Sequence, residues 1–301
     1  MSAERVMKTY INPEIARKRI KRRILLDKAA KRLFSLTIIF ALFVLALLIY
    51  RVLSQSIGWL DIQFLTSKLS ISPGKAGIKG VLIGSALLML VVAPVTLFLG
   101  VATAVFLEEY LKNGFIHSLI NINISNLSGV PSVIFGLLGL TVFSRMLKLG
   151  SSILAGGFTM SLLVLPIVVV SSQEAIRAVP GFLRDASYAL GASKWTTIRK
   201  IVLPTALPSI MTGSILSLSR AIGETAPLVV LGIPALLLKT PNGFMDDFTA
   251  LPIQIYYWTL DTVLTKEYAN LAAAAIVVLL VLLFVMNSAA IFIRNRFQRR
   301  Y

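Results

Sequence analysis

The chain has 301 residues, of which 56% are hydrophobic and 14% charged, with a formal net charge of +17 and no cysteine; the mean hydropathy is +0.83. A soluble chain carries about 25% charged residues, so an ordinary soluble domain is excluded. The missing cysteines exclude a disulfide framework and thiolate metal sites, and the single histidine, His117, leaves little for imidazole catalysis.

Uncharged apolar runs occupy residues 33–50, 80–107, 118–144, 149–173, 201–219 and 268–293. Each is near or above the roughly 18–20 residues that cross a bilayer core as a helix. Lipid offers no partner to an exposed backbone, and runs of this length lack the two-residue alternation of barrel strands. The sequence therefore predicts an all-α membrane protein of six transmembrane helices.

The tail at residues 1–32 holds eleven Lys/Arg against Glu4, Glu14 and Asp27, and residues 294–301 hold four arginines. Such flanking clusters place both termini in the cytoplasm, which demands an even number of spans. On that layout 21 of the 30 Lys/Arg are cytoplasmic. Orientation accounts for most of the positive charge, and no nucleic-acid partner is expected. The first span, residues 33–53, precedes an extracytoplasmic loop at 54–79 with Trp59, expected in the aromatic belt, and a Ser72-Pro73-Gly74 turn. Residues 80–293 form the working core, to which the first span is an added helix.

The second span carries Pro94. The third opens with Asn126-Leu127-Ser128-Gly129-Val130-Pro131-Ser132. Ser128, Ser132 and Gly136 recur every four residues, which suits close helix packing in lipid. The same Pro/Gly-rich start, with Gly129, Pro131 and Ser132, is also able to present backbone N–H groups to an anion in a cavity. Both readings stand at this point. No GxxxxGK[ST] phosphate loop occurs, so any nucleotide that energises the protein binds another chain.

Residues 173–204 are the longest polar stretch within the core and face the cytoplasm in this layout. Pro180-Gly181 ends the fourth span's continuation, 182–190 has helical apolar spacing, Gly191 suits a C′ position, and Ser193 caps a second turn leading to Leu203. A helix pair projecting from a membrane bundle suits insertion into a groove on a cytoplasmic partner, with Tyr188, Leu190 and Trp195 as apolar anchors. A solvated connecting loop is the plainer alternative. A DNA-reading helix pair is disfavoured by tethering between two spans.

In the fifth span, Arg220 follows Pro204 by about 24 Å of straight helix, inside a hydrocarbon core roughly 30 Å thick. Glu224 lies one turn on, so the two share a helix face. Burying either charge alone costs several kcal/mol, so they meet each other or a ligand. An arginine offers a fork of donors to a tetrahedral oxyanion, and a carboxylate accepts a hydrogen bond from a ligand hydroxyl. Monohydrogen phosphate carries that proton; sulfate and molybdate do not. Gly223 and Pro227 bracket Glu224, and Pro227 has no N–H for the carbonyl of Gly223, so the helix is expected to loosen beside the charges. Beyond it, residues 234–261 face outward, with Tyr256-Tyr257-Trp258 expected in the interface belt.

Asp185-Ala186-Ser187, three residues, Gly191, nine residues, then Ile201-Val202-Leu203-Pro204 resembles the EAA loop of binding-protein-dependent ABC importer permeases, with aspartate for the usual glutamate and Ser187 for the second alanine. The resemblance implies that Asp185, Ala186, Ser187, Gly191, Ile201, Leu203 and Pro204 contact an ATPase subunit. Arg220-Ala221-Ile222-Gly223-Glu224-Thr225-Ala226-Pro227-Leu228 is similar to the signature of phosphate-importer permeases of the PstA type. Gly129-Val130-Pro131-Ser132-Val133-Ile134-Phe135-Gly136 resembles a second segment of them, and residues 77–84 are a weaker match. Together these imply a type I ABC importer permease in the cell membrane that moves phosphate along Arg220, Gly223, Glu224 and Thr225. The implied partners are a second permease, two ATPase subunits holding ATP and magnesium, and an extracytoplasmic phosphate-binding protein. A permease for sulfate or molybdate, a scaffold or sensor that transports nothing, and a stand-alone secondary transporter are the rival readings.

Overall fold

The computed structural model describes residues 13–111, 114–237 and 239–297. The first twelve residues of the basic tail, Lys112, and the C-terminal Arg299 and Arg300 lie outside them. Among the described residues the only regular structure is helix, apart from one isolated bridge between Ser152 and Asp247. Residues 1–54 and 55–301 are two separate units.

The described part of the first unit belongs to helix α1, Pro13–Ser56, which begins inside the basic tail, continues through the whole first apolar run and ends two residues into the second unit. The second unit opens with the short helix α2, Ile62–Thr66, capped by the Asp61 carboxylate accepting from the Phe64 N–H at 2.7 Å. Then follow α3 (Lys79–Val105), a wide π turn (Phe106–Tyr110), α4 (Phe115–Ser128) and α5 (Ser132–Leu138) with its π continuation Gly139–Met146. The chain continues through α6 (Ile153–Arg177), α7 (Gly181–Ala189), α8 (Lys194–Thr197), a second π turn (Ile198–Val202), α9 (Leu203–Gly223), α10 (Ala226–Leu231), α11 (Leu251–Asp261) and α12 (Glu267–Phe297). Five helices among the described residues are long and apolar enough to cross a membrane, and a bent pair brings the number to six.

That bent pair is the third apolar run. α4 and α5 meet at 103°, because Gly129 ends α4 and Pro131, with no N–H and a fixed φ, starts α5 in a new direction. Ser128 therefore lies on a different helix from Ser132 and Gly136, and the three do not form one continuous small-residue face.

α3 and α6 are the central parallel pair, and glycine sets their separation. A methyl group on Gly157 would sit 2.5 Å from Val91 Cγ1, and one on Gly100 2.7 Å from Val168 Cγ1. Small residues permit this approach where lipid supplies no hydrophobic drive to associate. α9 packs on α6 with Gly213 against Ser171. It is clamped to α12 by the Ser219 hydroxyl donating to Asn287 Oδ1 at 2.5 Å and Arg294 donating to Thr212 Oγ1 at 3.2 Å.

One end of the second unit is closed by residues 59–78 and 239–250. Phe64, Leu69, Ile78 and Val81 are buried with Leu251, Trp258 and Leu271. Trp258 is only 2% exposed and packs on Phe64, rings 6.2 Å apart. It is a core residue and not a member of the expected interface belt, because the loop before α3 folds over it. The backbone N–H groups of Ile153 and Leu154 donate to the carbonyls of Asp246 and Phe244, pinning the second loop to the start of α6. Asp246 accepts from the N–H groups of Asn242 and Gly243 at 2.8 and 3.0 Å, which holds its carboxyl below the ordinary aspartate range.

Candidate functional site

α9 stops at Gly223, and Glu224 is extended (φ −76°, ψ 126°). α10 restarts at Ala226, with the Leu228 and Val229 N–H groups donating to the Thr225 carbonyl and Pro227 in its first turn. The break falls where a proline without an N–H follows a glycine by four residues, so the loosening expected from the sequence is a complete interruption of the helix.

Arg220 sits in the last turn of α9. Its Nε donates to Glu224 Oε1 at 3.3 Å, a long contact, and the side chains are 59% and 19% exposed. Among the described residues the terminal guanidinium nitrogens have no partner, so the fork stays open. The pair is not self-satisfied: a half-exposed ion pair of this geometry contributes about 0–1 kcal/mol, and four donor hydrogens remain for something else. Ser209, Leu216 and Gly223 are exposed along the same stripe of α9 as Arg220, so among the described residues of the second unit this face of the helix is uncovered.

α5 and α10 pack together immediately beside the break. A methyl group on Gly136 would lie 2.9 Å from both Cα and O of Pro227 and 2.8 Å from Val230 Cβ. Of the third-span residues singled out in the sequence, Gly136 makes the packing contact, while Gly129 and Pro131 make the bend and Ser132 opens α5. Gly136→Ala is expected to cost about 1–3 kcal/mol through overpacking against backbone, read as a lower thermal midpoint in detergent. An unchanged midpoint would show that α5 shifts freely away from α10.

At the far end of α6, the loop at 173–204 is the helix pair α7–α8. Gly191 has φ +79°, and its N–H and that of Ala192 donate to the carbonyls of Tyr188 and Ser187. This is the left-handed helix stop that favours glycine. Ser193 caps α8 by accepting from the Thr196 N–H, and the buried Ser187 and Thr197 hydroxyls bond each other at 2.8 Å. The serine in place of the usual alanine thus ties the two arms together. Asp185 and Ala186 are exposed, as are Tyr188, Leu190 and Trp195, with Leu190 89% exposed at the tip. Ile201, Leu203 and Pro204 are partly buried where the second π turn runs into α9.

A polar cluster under this pair went unread in the sequence. Arg177 donates to both oxygens of Glu108 at 2.6 and 2.7 Å, and Gln173 donates to Glu108 and to Asn121 Oδ1, each at 2.9 Å. The Asn121 amide lies 3.2 Å from a ring nitrogen of His117. Arg184 bonds Glu109 at 2.9 Å and caps the end of α6 by donating to the carbonyls of Ile176 and Val179. The available signal was two adjacent glutamates closing an apolar run, with Gln173 and Arg177 one turn apart; the pairings themselves span 52 to 75 positions.

The chain matches the family described as binding-protein-dependent transport system inner membrane component over residues 96–300. It is 32% identical over 299 residues to the phosphate transport system permease protein PstA 1 of Mycobacterium tuberculosis (strain CDC 1551 / Oshkosh), covering 96% of this chain and 95% of that one. It is 31% identical over 274 residues to the probable ABC transporter permease protein YqgI of Bacillus subtilis (strain 168), covering 88% and 93%. Its fold is similar to a chain of the inward-facing MetNI methionine ABC transporter, with a TM-score of 0.58 at 16% identity over 74% of this chain and 96% of that one. With a family match across residues 96–300 and near full-length relatives at over 30% identity, the chain belongs to the binding-protein-dependent transport system inner membrane component family and is a permease subunit of an ABC importer.

Proposed function

We propose that this permease translocates inorganic phosphate into the cell by alternating access driven by ATP hydrolysis on partner subunits. The observation that carries the reading is the open Arg220 fork beside the Glu224 carboxylate at the interruption between α9 and α10. Two guanidinium N–H groups suit two oxygens of a tetrahedral anion. Glu224 then accepts a hydrogen bond from the hydroxyl of monohydrogen phosphate and repels an oxyanion that has no such donor. Gly223 and Thr225 flank the extended Glu224 between the two helices. The phosphate transport names of relatives such as the mycobacterial protein support the same substrate.

In this reading a second, related permease covers the exposed stripe of α9 and closes the cavity around Arg220. Both termini and the α7–α8 pair lie in the cytoplasm, where the basic flanks favour them. Two ATPase subunits carrying ATP and magnesium grip the pair through Asp185, Ala186, Gly191 and the apolar tip, and an extracytoplasmic phosphate-binding protein delivers the anion to the other side.

Competition of unlabelled anions against labelled phosphate tests the substrate: phosphate is expected to compete, and sulfate and molybdate to fail. Glu224→Gln is expected to lower phosphate uptake roughly tenfold or more, because a site built around one hydrogen bond loses its discrimination when the acceptor changes. Unchanged uptake by that variant at every pH tried would remove the acceptor role.

A further inference from the structure

Four tethers converge on the five-residue turn Phe106–Tyr110. α7 holds it through Arg184 to Glu109, and α8 through the Lys194 ammonium 4.9 Å above the Tyr110 ring. α6 holds it through Arg177 and Gln173 to Glu108, and Gln173 passes the connection on to Asn121 of α4. The glutamate side chains are only 11% and 8% exposed. Adjacent carboxylates repel, yet each here has its own guanidinium, drawn from a different helix. Replacing a buried ion pair by apolar residues is often neutral or stabilising, so the largely buried Arg184–Glu109 pair is read for the geometry it imposes. The turn itself is a π turn, closed by the Leu111 N–H donating to the Phe106 carbonyl at 2.9 Å, and such wide turns often mark functional positions.

The route continues. α4 is one half of the bent third span, and its other half, α5, packs through Gly136 on Pro227 beside the Arg220–Glu224 break.

We propose that the Phe106–Tyr110 turn is the relay by which displacement of the α7–α8 pair reaches the bent span, and through it the helix break, with Glu108, Glu109, Arg177 and Arg184 as its positioning residues. The proposal rests on the pair being the ATPase contact. A contiguous network by itself does not establish coupling, so the test reads coupling directly. In the complex purified with its ATPase subunits, hydrogen exchange is compared with and without ATP, and both Gly181–Ala189 and Phe115–Ser128 are expected to change. In Arg184→Gln the change in α7 persists and that in α4 is lost. The phosphate moved per ATP hydrolysed falls roughly tenfold, within the range of ordinary coupling energies. Arg184→Lys, whose ammonium still pairs with Glu109 and still donates to the carbonyls at the end of α6, keeps most of that ratio. A merely structural role would lower the amount of complex and leave the ratio alone. The relay is overturned if α4 of Arg184→Gln responds to ATP as the wild type does, if the ratio is unchanged, or if α7 and α4 both fall silent and Arg184→Lys restores neither. A wild-type complex that moves no phosphate while its exchange behaves as described would sink the phosphate reading and leave the relay standing.

Discussion

Arg220→Gln is expected to abolish phosphate uptake while leaving the assembled complex intact. The substitution keeps a polar side chain, shortens it by two atoms and removes its charge and its fork. Its structural cost is small, since the ion pair it breaks is long and half exposed and contributes about 0–1 kcal/mol. Its cost to the anion is large. Each charge-assisted hydrogen bond is worth about 1.5–3 kcal/mol, so losing a bidentate contact lowers occupancy of the site by roughly two to four orders of magnitude. Uptake of labelled phosphate into proteoliposomes measures the loss, and copurification of the subunits with an unchanged thermal midpoint measures the integrity. Arg220→Lys should fall between, because an ammonium keeps the charge but cannot match two oxygens with a planar fork. Normal uptake by Arg220→Gln would take this residue out of the path.

The second large effect is expected at the other end of the bundle. Leu190→Asp combined with Trp195→Ala should detach the ATPase subunits without unfolding the permease. Both side chains are exposed, at 89% and 55%, so the fold loses little. A central interface anchor typically contributes 2 kcal/mol or more, roughly a thirtyfold change in affinity for each of the two. The tip itself is held in place by the Gly191 turn, the Ser193 cap and the Ser187–Thr197 bond, none of which the double substitution touches. The amount of ATPase recovered with tagged permease reads the outcome. Recovery at the wild-type ratio would show that the pair is a solvated connection after all.

The helix break and the turn between α7 and α8 were legible before any coordinates because their causes are local. A proline four residues beyond a glycine deprives its carbonyl of a donor, and Gly191 followed by Ser193 writes a helix stop and a helix start; the shared helix face expected for Arg220 and Glu224 is lost because that same break leaves Glu224 outside α9. The open state of the Arg220 fork was not legible, since whether a charged side chain is enclosed depends on helices distant in sequence. The bend at Gly129–Pro131 had visible ingredients, but proline and glycine are tolerated inside membrane helices when neighbours satisfy the freed backbone; α3 and α6 carry Pro94 and Pro166 without interruption.

Trp258 and the Glu108–Glu109 cluster show the same division from the side of packing. An aromatic at a span's edge reads as an interface residue until the loop at residues 59–78 is seen folded over it. Two glutamates at the end of an apolar run read as solvated until Arg177 and Arg184 arrive from helices some seventy positions away. The sequence by itself determined the membrane-spanning helices, the helix pair with its glycine turn, and the break beside Arg220, because hydropathy, missing donors and turn residues act within a few positions. Only the tertiary structure decided which charges are paired and which are left open, because the approach of two side chains is set by how close their helices can pack.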